Sequence, residues 1–381
     1  MKSIPTKIRE KAKDIFSIFE YSLWLLADIS KFKKINKKEI KNVLIIHLGS
    51  IGELMIITSL FPALKKELNC NISIMIGNGK GKDLIYKNNP YISEILKLEE
   101  GFKKNIEELK KRNFDLAIIL YPATFKINLI CLLAKIKYRI GCFPIVKGGP
   151  SFFLTKRIFP LNLDKKNAVE EELDMIRQIG IDNQNPKLEF YITDKEKKDL
   201  NKILKKLKVK DYAVVHAGGS FLVKYKEYSS KIWPSERYAE VIDYLAEKYN
   251  FKIFLTGNKE EEIFAKEIYE KVKNKKNVII ANELFDIRGL ATLVSKAKLL
   301  IAHGTGLVHI AAAFNLPSVV FEGRGDPTIW HPWNINCKQL FHPEVCTGCS
   351  RDTCRKGTRE CILSITIQEV IQASDELLKK K

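Results

Sequence analysis

Short apolar runs alternate with amphipathic stretches along the chain from residue 43 onward. Runs without polar interruption are typical of strands covered on both faces, as in parallel sheets. Regular strand–helix alternation favours parallel strands joined by right-handed crossovers. The predicted strands are VLIIHL at 43–48, ISIMIG at 72–77, LAIILY at 116–121, RIGCF at 139–143, YAVVHAG at 212–218, KIFLTG at 252–257, NVIIAN at 277–282, LLIAHG at 299–304 and PSVVFEG at 317–323.

The amphipathic stretches between these strands predict helices, in two successive series separated by a polar, Lys-rich stretch. Two series in 381 residues predict two doubly wound α/β domains, at 43–190 and 206–345, followed by a Cys-rich segment and a C-terminal helix at 346–381. The predicted helices are ELMIITSLFPALKKEL at 53–68, KDLIYKN at 82–88, NIEELKKR at 105–112, ERYAEVIDYLAEKY at 236–249, EEEIFAKEIYEKV at 260–272, IRGLATLVSKA at 287–297 and TGLVHIAAAFN at 305–315.

The charge balance adds a class of partner. The chain carries 65 Lys+Arg against 45 Asp+Glu, a net charge of +20. Such a surplus attracts nucleic acid, an anionic membrane face or phosphorylated substrates. Nucleic acid is not expected, because neither a recognition motif nor an aromatic–basic stripe is present.

The N-terminal segment, residues 1–42, contains the apolar run IFSIFEYSLWLLADI followed by the basic KFKKINKKEIK. It predicts an amphipathic helix that either lies in an anionic membrane interface or packs on the protein's own surface. No run of about 18 apolar residues occurs, so no transmembrane helix is expected. We expect a cytoplasmic protein that is peripheral at the inner face of the cytoplasmic membrane.

Four of the eight cysteines form a C-x2-C-x4-C-x6-C pattern at Cys346, Cys349, Cys354 and Cys361. This spacing is short enough to surround one tetrahedral zinc ion. Three interpretations stay open: a structural zinc site, reduced thiols that pack a local turn, or disulfides. Reduced thiols are the ordinary state in the cytosol.

Glycine-containing loops follow several strands, where ligands bind in doubly wound sheets. Gly304, Thr305 and Gly306 open a small-residue helix that carries His309 about one turn in, an arrangement suited to phosphate. Lys231 precedes a Trp-Pro helix start and could neutralise a departing diphosphate. In the first series, a single carboxylate, Glu53, follows the turn after VLIIHL.

These segments occur together in the order and at the separations of glycosyltransferase family 9. The chain resembles the lipopolysaccharide heptosyltransferase-like members of that family over about residues 43–370. The resemblance implies a GT-B fold, in which an N-terminal domain receives a lipid-linked acceptor and a C-terminal domain binds a nucleotide-sugar. It also implies that the anomeric centre is inverted and that no metal is required.

The resemblance also assigns roles to residues. The catalytic base falls on Glu53, and Lys231 is the second catalytic residue; Ser50 and Gly52 lie on the acceptor side. Two positions depart from the family, which usually has Asp at the Glu53 position and at the Gly304 position of its D-[ST]-G-x-x-H motif. The residues assigned to the donor are Gly218, Gly219, Ser220, Gly257, Glu260, Thr305, Gly306, Leu307 and His309.

We therefore expect transfer of a sugar, most simply heptose from ADP-heptose, to a lipopolysaccharide core or another glycolipid. Inverting transfer needs a carboxylate to take the acceptor proton and cations to stabilise the leaving diphosphate. Two alternatives keep the architecture: a nucleotide-sugar epimerase of GT-B-like fold, and a non-catalytic nucleotide- or glycolipid-binding homologue. An epimerase would act on the donor without any acceptor.

Overall fold

The computed structural model describes residues 35–120, 124–142, 153–158, 166–219, 231–323, 327–333, 336–346, 354 and 356–379. Within them lie two parallel six-stranded sheets. The first sheet has strands β1 (Asn42–His47), β2 (Asn71–Ile76), β3 (Ile92–Lys97), β4 (Leu116–Ile119), β5 (Tyr138–Cys142) and β6 (Lys156–Ile158). The second has β7 (Tyr212–His216), β8 (Lys252–Leu255), β9 (Val278–Ile280), β10 (Leu299–His303), β11 (Ser318–Phe321) and β12 (Cys337–Leu340).

Helices connect these strands and cover both sheets. In the first half they are α1 (Ile51–Ile56), α2 (Phe61–Leu68), α3 (Phe102–Lys111), α4 (Phe125–Leu133), α5 (Ala168–Arg177) and α6 (Asp194–Lys206). In the second half they are α7 (Ser235–Tyr249), α8 (Glu262–Lys271), α9 (Ile287–Lys296), α10 (Gly306–Ala313), α11 (Pro327–Trp330), α12 (Glu360–Leu363) and α13 (Ile367–Lys379).

The strand order of each sheet identifies where a ligand would bind. The orders are β3-β2-β1-β4-β5-β6 and β12-β11-β10-β7-β8-β9, so the direction of winding reverses between β1 and β4 and between β10 and β7. In doubly wound sheets ligands bind beyond the carboxyl ends of the strands at such a reversal. The central strands β1 and β10 are buried along almost their whole length, as their uninterrupted apolar sequences predict. The prediction of two doubly wound α/β domains is confirmed.

Several predicted elements are wrong in detail. KDLIYKN contains a short 3-10 turn at Asp83–Ile85 rather than a helix, and the helix predicted at 53–68 is divided by a 3-10 turn at Ile57–Leu60. The pattern missed strands β3, β6 and β12 and helices α4, α5, α11 and α12. β3 does not form an apolar run, because it is partly exposed and carries polar residues.

The Lys-rich stretch between the two series contains α6. Its N-terminus is capped reciprocally: Thr193 N–H donates to Glu196 Oε2 at 2.7 Å, and Glu196 N–H donates to Thr193 Oγ1 at 3.2 Å. Leu200 and Leu204 are its buried face. The lysines therefore cover the solvent side of an ordinary amphipathic helix.

The predicted N-terminal amphipathic helix lies outside the described residues, apart from the short turn at Lys37–Glu39. Within the part of the chain that the structure describes, no helix is long and apolar enough to cross a membrane. The C-terminal helix α13 packs onto the second domain, where Val370, Ala373 and Leu377 join its core.

Candidate active site

The turn after β1 places the carboxylate of Glu53 at the mouth of the first sheet. Ser50 is the N-cap of α1, and its backbone N–H donates to Glu53 Oε2 at 2.6 Å. Because a carboxylate has two acceptor oxygens, this bond orients the group without using Oε1. A β-carbon on Gly49 would lie 2.5 Å from Glu53 Oε2 and 2.5 Å from His47 Cε1. Gly49 therefore lets the two side chains fold back over the turn.

Two titratable groups, the buried His47 and the partly exposed Glu172, lie behind Glu53. His47 Nδ1 accepts the Gly49 N–H at 3.1 Å, so the proton of the neutral ring is on Nε2, which lies 3.8 Å from Glu172 Oε1. Burial lowers the pKa of His47 to about 4, against the opposing charge of Glu53. Burial, then the charges of Glu171 and Glu53, raises the pKa of Glu172 to about 8. At neutral pH both groups are therefore uncharged beside Glu53.

The N-terminus of α10 presents two unused polar atoms. Thr305 is the N-cap residue, yet its side chain makes no capping hydrogen bond. Thr305 Oγ1 and His309 Nδ1 are buried and have no hydrogen-bond partner among the described residues. Burial, with a smaller effect of His331, lowers the pKa of His309 to about 4, so the imidazole is neutral at pH 7. Buried polar atoms without partners are rare, and together with a helix N-terminus they suit an anionic ligand.

Helices α1 and α10 contact each other across the domain interface through two glycines. A β-carbon on Gly306 would lie 3.0 Å from Ile51 Cγ2 and 3.1 Å from the backbone N of Gly52. A β-carbon on Gly52 would lie 3.0 Å from His309 Cδ2. The absence of side chains lets the first turns of both helices approach one space between the domains.

Lys231 is held near this space by its neighbour Trp233. The indole is buried, and its Nε1 donates to the Ile365 carbonyl at 2.9 Å. This contact ties the segment before α7 to the C-terminal part of the chain. The charge of Lys231 also contributes, after burial and His216, to lowering the pKa of His303 to about 3.

These groups converge on a cleft of about 370 Å³ between the two domains. It brings together seven of the residues predicted from the sequence and three others: Ser50, Gly52, Glu53, Lys231, Thr305, Gly306 and His309, with Gly304, Glu322 and Trp330. Glu322 and Trp330 were not predicted as ligand-binding residues. The only sequence signal for Glu322 is its place directly after a strand.

Among the described residues, the other predicted donor positions do not line this cleft. Leu307 is buried in the hydrophobic core. Gly218 and Gly257 follow β7 and β8 and pack against Glu261, which is buried, whereas the predicted Glu260 is exposed. Gly219 is partly exposed, and Ser220 lies outside the described residues.

Glu261 closes the turn after β8. Its Oε2 accepts the Asn258 N–H at 2.9 Å, and its own N–H donates to Asn258 Oδ1 at 3.0 Å. A β-carbon on Gly218 would lie 2.9 Å from Glu261 Cβ. Of the two neighbouring glutamates, the structure therefore brings Glu261, and not Glu260, to the ends of β7 and β8.

The cysteine pattern is only partly visible. Cys346 and Cys354 have free thiols, Cys361 is buried, and Cys349 lies outside the described residues. Across the described ranges, no group of three His, Cys, Asp or Glu side chains is arranged to hold a metal ion. Because Cys349 is not among the described residues, the zinc site stays a prediction.

Two facing doubly wound domains with a cleft between them have the architecture of the GT-B fold. Residues 103–359 match glycosyltransferase family 9 (heptosyltransferase), and the chain belongs to that family. It is 24% identical to the lipooligosaccharide heptosyltransferase 2 of Haemophilus influenzae, over 89% of this chain and 100% of the relative. It is 22% identical to the lipopolysaccharide heptosyltransferase 2 of Salmonella typhimurium, over 89% and 99%.

Solved structures agree on the fold. A glycosyltransferase family 9 protein from Veillonella parvula superposes with a TM-score of 0.77 at 18% identity, covering 92% of this chain and 99% of the other. The E. coli ADP-heptose lipopolysaccharide heptosyltransferase II superposes with a TM-score of 0.73 at 19% identity, covering 89% and 99%. The predicted GT-B fold and the prediction of a glycosyltransferase are both confirmed.

Proposed function

We propose that this glycosyltransferase transfers heptose from ADP-heptose, with inversion and without a catalytic metal, to a lipopolysaccharide core or related glycolipid. The family and the names of the relatives support heptose and a lipopolysaccharide or lipooligosaccharide product. ADP-heptose is named for the E. coli structure of the same fold. The observation that carries the proposal is the cleft in which Glu53 of the first domain faces the N-terminus of α10 in the second.

Glu53 is proposed as the general base. The Ser50 N–H holds its Oε2 at 2.6 Å, so the carboxylate is oriented before the acceptor arrives. Oε1 of Glu53 would take the proton of the acceptor hydroxyl while the hydroxyl oxygen attacks the anomeric carbon of the donor. The glycosidic bond to the diphosphate breaks on the opposite face of the sugar, so a single displacement inverts the anomeric centre.

The leaving diphosphate is proposed to occupy the second-domain side of the cleft. The hydroxyl of Thr305 and one ring N–H of His309 can each donate to a phosphate oxygen, and the N-terminus of α10 adds its positive dipole end. Lys231 supplies a full positive charge to the same cleft. These donors stabilise the charge that develops on the leaving group.

The contact between Gly52 and Gly306 is proposed to limit water in the site. The two helices touch at the base of the cleft, where a β-carbon on either glycine would be 3.0 Å from the opposite domain. Exclusion of water would favour transfer to the glycolipid over hydrolysis of the donor. The acceptor is proposed to enter past Ser50 and Gly52, on the first-domain side.

Attachment to the inner face of the cytoplasmic membrane is part of this proposal. A net charge of +20 suits an anionic surface, and a lipid-linked acceptor lies in that surface. Binding to vesicles of phosphatidylglycerol and phosphatidylethanolamine, compared between the full chain and a chain that starts at residue 35, would test whether residues 1–34 contribute.

The role of Glu53 is tested with Glu53→Gln. The amide oxygen can still accept the Ser50 N–H, so the turn should stay intact while the basic oxygen is lost. We expect kcat to fall by about 10²- to 10⁴-fold, with ADP affinity within twofold of the wild-type value. Transfer is measured by mass spectrometry of the glycolipid product, and Glu67→Gln, an exposed residue of α2, is the matched control. A Glu53→Gln enzyme with the wild-type kcat would remove Glu53 from the mechanism.

The same assay separates the alternative functions. Incubation with ADP-heptose alone would yield an epimerised nucleotide-sugar if the protein were an epimerase, since no acceptor is needed. A non-catalytic binding protein would bind ADP-heptose without consuming it in the presence of acceptor.

A further inference from the structure

Gly304, at the carboxyl end of β10, leaves a space that the side chain of Glu322 fills. A β-carbon on Gly304 would lie 2.2 Å from Glu322 Oε1 and 3.0 Å from its Cδ. Glu322 is only 7% exposed, yet it lines the interdomain cleft together with Thr305 and His309. The carboxylate therefore packs on the bare α-carbon of Gly304. Glu322 could not keep this rotamer if residue 304 had a side chain.

The sheet register explains how two distant positions share one space. β10 and β11 are adjacent parallel strands in which His303 is opposite Phe321. Gly304 directly follows β10, and Glu322 directly follows β11. The backbone Gly304 N–H donates to the Phe321 carbonyl at 3.3 Å. Carboxyl ends of parallel strands meet at one edge of the sheet, so a carboxylate on either strand reaches the same part of the cleft.

The family pattern has Asp at the position of Gly304, whereas this chain carries the carboxylate on the neighbouring strand. The acidic side chain that is absent at 304 is therefore replaced in space by the carboxylate of Glu322 on the neighbouring strand. The cleft keeps a negative group beside the N-cap of α10.

We propose that Glu322 binds hydroxyl groups of the transferred sugar and helps to determine which sugar is accepted. This inference rests on the proposed function, because it concerns the donor of the same reaction. A carboxylate repels phosphate, so it suits the neutral, hydroxyl-rich part of a nucleotide-sugar, next to the diphosphate held by Thr305 and His309. Its two oxygens can accept hydrogen bonds from two hydroxyls.

Trp330 supports the binding of a sugar in this cleft. The indole is 44% exposed although it is large and apolar, and it lines the cleft that Glu322 also lines. An aromatic ring packs against the apolar C–H face of a sugar, while charged acceptors bind the hydroxyls at its edge. Glu322 and Trp330 supply these two kinds of contact.

The first test compares ADP with ADP-heptose as ligands of Glu322→Gln, a variant of nearly the same shape. Isothermal titration calorimetry should give an ADP affinity within about twofold of wild type. The affinity for ADP-heptose should fall about ten- to a hundredfold, as expected when a charged hydrogen-bond acceptor is lost. Glu247→Gln, on the exposed face of α7 in the same domain, should change neither value.

The second test moves the carboxylate back to β10. In the wild-type background, Gly304→Asp places a β-carbon where Glu322 Oε1 stands, so kcat/KM for ADP-heptose should fall at least tenfold. In the Glu322→Ala background the space is empty, so Gly304→Asp should raise kcat/KM at least tenfold above Glu322→Ala alone. A residue that only supports the fold is not expected to reverse the sign of the effect of Gly304→Asp on kcat/KM. Thermal unfolding of each variant verifies that it is folded.

Two results would overturn the proposal. One is a Glu322→Gln protein that binds ADP-heptose as wild type does. The other is an equal loss of affinity for ADP and ADP-heptose, which would place Glu322 on the diphosphate or its binding groups. If the wild-type protein neither binds nor consumes ADP-heptose, the proposed function fails instead, and that outcome is visible before any variant is made.

Discussion

Arg288 of α9 connects the two domains and the segment between them. Its guanidinium, with the side chain 4% exposed, donates to both carboxylate oxygens of Glu196. It also donates to the carbonyls of Leu84 at 2.9 Å and Lys87 at 3.0 Å in the first domain, and of Tyr191 at 2.5 Å. Arg288→Met would keep the aliphatic stem and remove every one of these hydrogen bonds.

Two estimates give the size of the effect. Removing one partner of a buried ion pair costs about 3–5 kcal/mol. Independently, the pKa of Glu196 is lowered from 4.5 to about 2, and the hydrogen bonds from Arg288 are the largest cause. A lowering of this size corresponds to about 3 kcal/mol of stability at neutral pH, reduced to about 2–3 kcal/mol because Glu196 is 23% exposed. We expect Arg288→Met to lower the free energy of unfolding by about 3 kcal/mol at pH 7.

The pH dependence gives the prediction its sign. The pKa of Glu196 is depressed in the folded protein, so its contribution is present above pH 4.5 and is lost as the pH falls towards about 2. Urea unfolding of wild type and Arg288→Met at pH 7, 5, 4 and 3 should therefore show a difference that shrinks on acidification.

The matched control is Arg177→Met. Arg177 pairs with three carboxylates, those of Glu170, Asp174 and Asp182, but its side chain is 31% exposed, against 4% for Arg288. Exposed ion pairs contribute little, so we expect a loss below about 1 kcal/mol. The reasoning is refuted if Arg288→Met costs no more than Arg177→Met, or if its cost is the same at pH 3 as at pH 7.

Two further close contacts give separate tests. Gly49→Ala would place a β-carbon 2.5 Å from Glu53 Oε2, so kcat should fall at least tenfold with little change in ADP affinity. In the control Gly101→Ala, the β-carbon would meet its nearest neighbour at 3.4 Å, so kcat should be unchanged. An unimpaired Gly49→Ala enzyme would contradict this prediction. Tyr238→Phe removes the hydroxyl 2.9 Å from the buried His303 Nε2, so urea unfolding should show a loss of about 1–3 kcal/mol; a loss below about 0.5 kcal/mol would count against it.

The central strands and the helices that follow them could be predicted because the signal is local. Apart from their terminal residues, β1, β7 and β10 are apolar, as burial on both faces of a parallel sheet requires. β3 and β12 lie at sheet edges, are only partly buried, and do not show this pattern. Their pairing depends on the neighbouring strand, which a local pattern does not contain.

The candidate site was predictable where a glycine-containing turn opens a helix. Glu53 and Thr305 were found in this way, and both line the cleft. Glu261, rather than its predicted neighbour Glu260, packs against Gly218, and the sequence does not show which glutamate of the run at 260–262 points that way. His47 and Glu172 are 125 residues apart in numbering, and nothing in either segment signals the other.

By itself, the sequence determined the two doubly wound domains, the turns at their strand ends, and membership of a family whose motifs keep their order. Periodicity and turn chemistry act over a few residues, so they are legible without coordinates. Only the tertiary structure decided that Glu322 occupies the space beside Gly304, and that Gly52 meets Gly306. Those contacts depend on strand register and on the packing of one domain against the other, which bring together residues far apart along the chain.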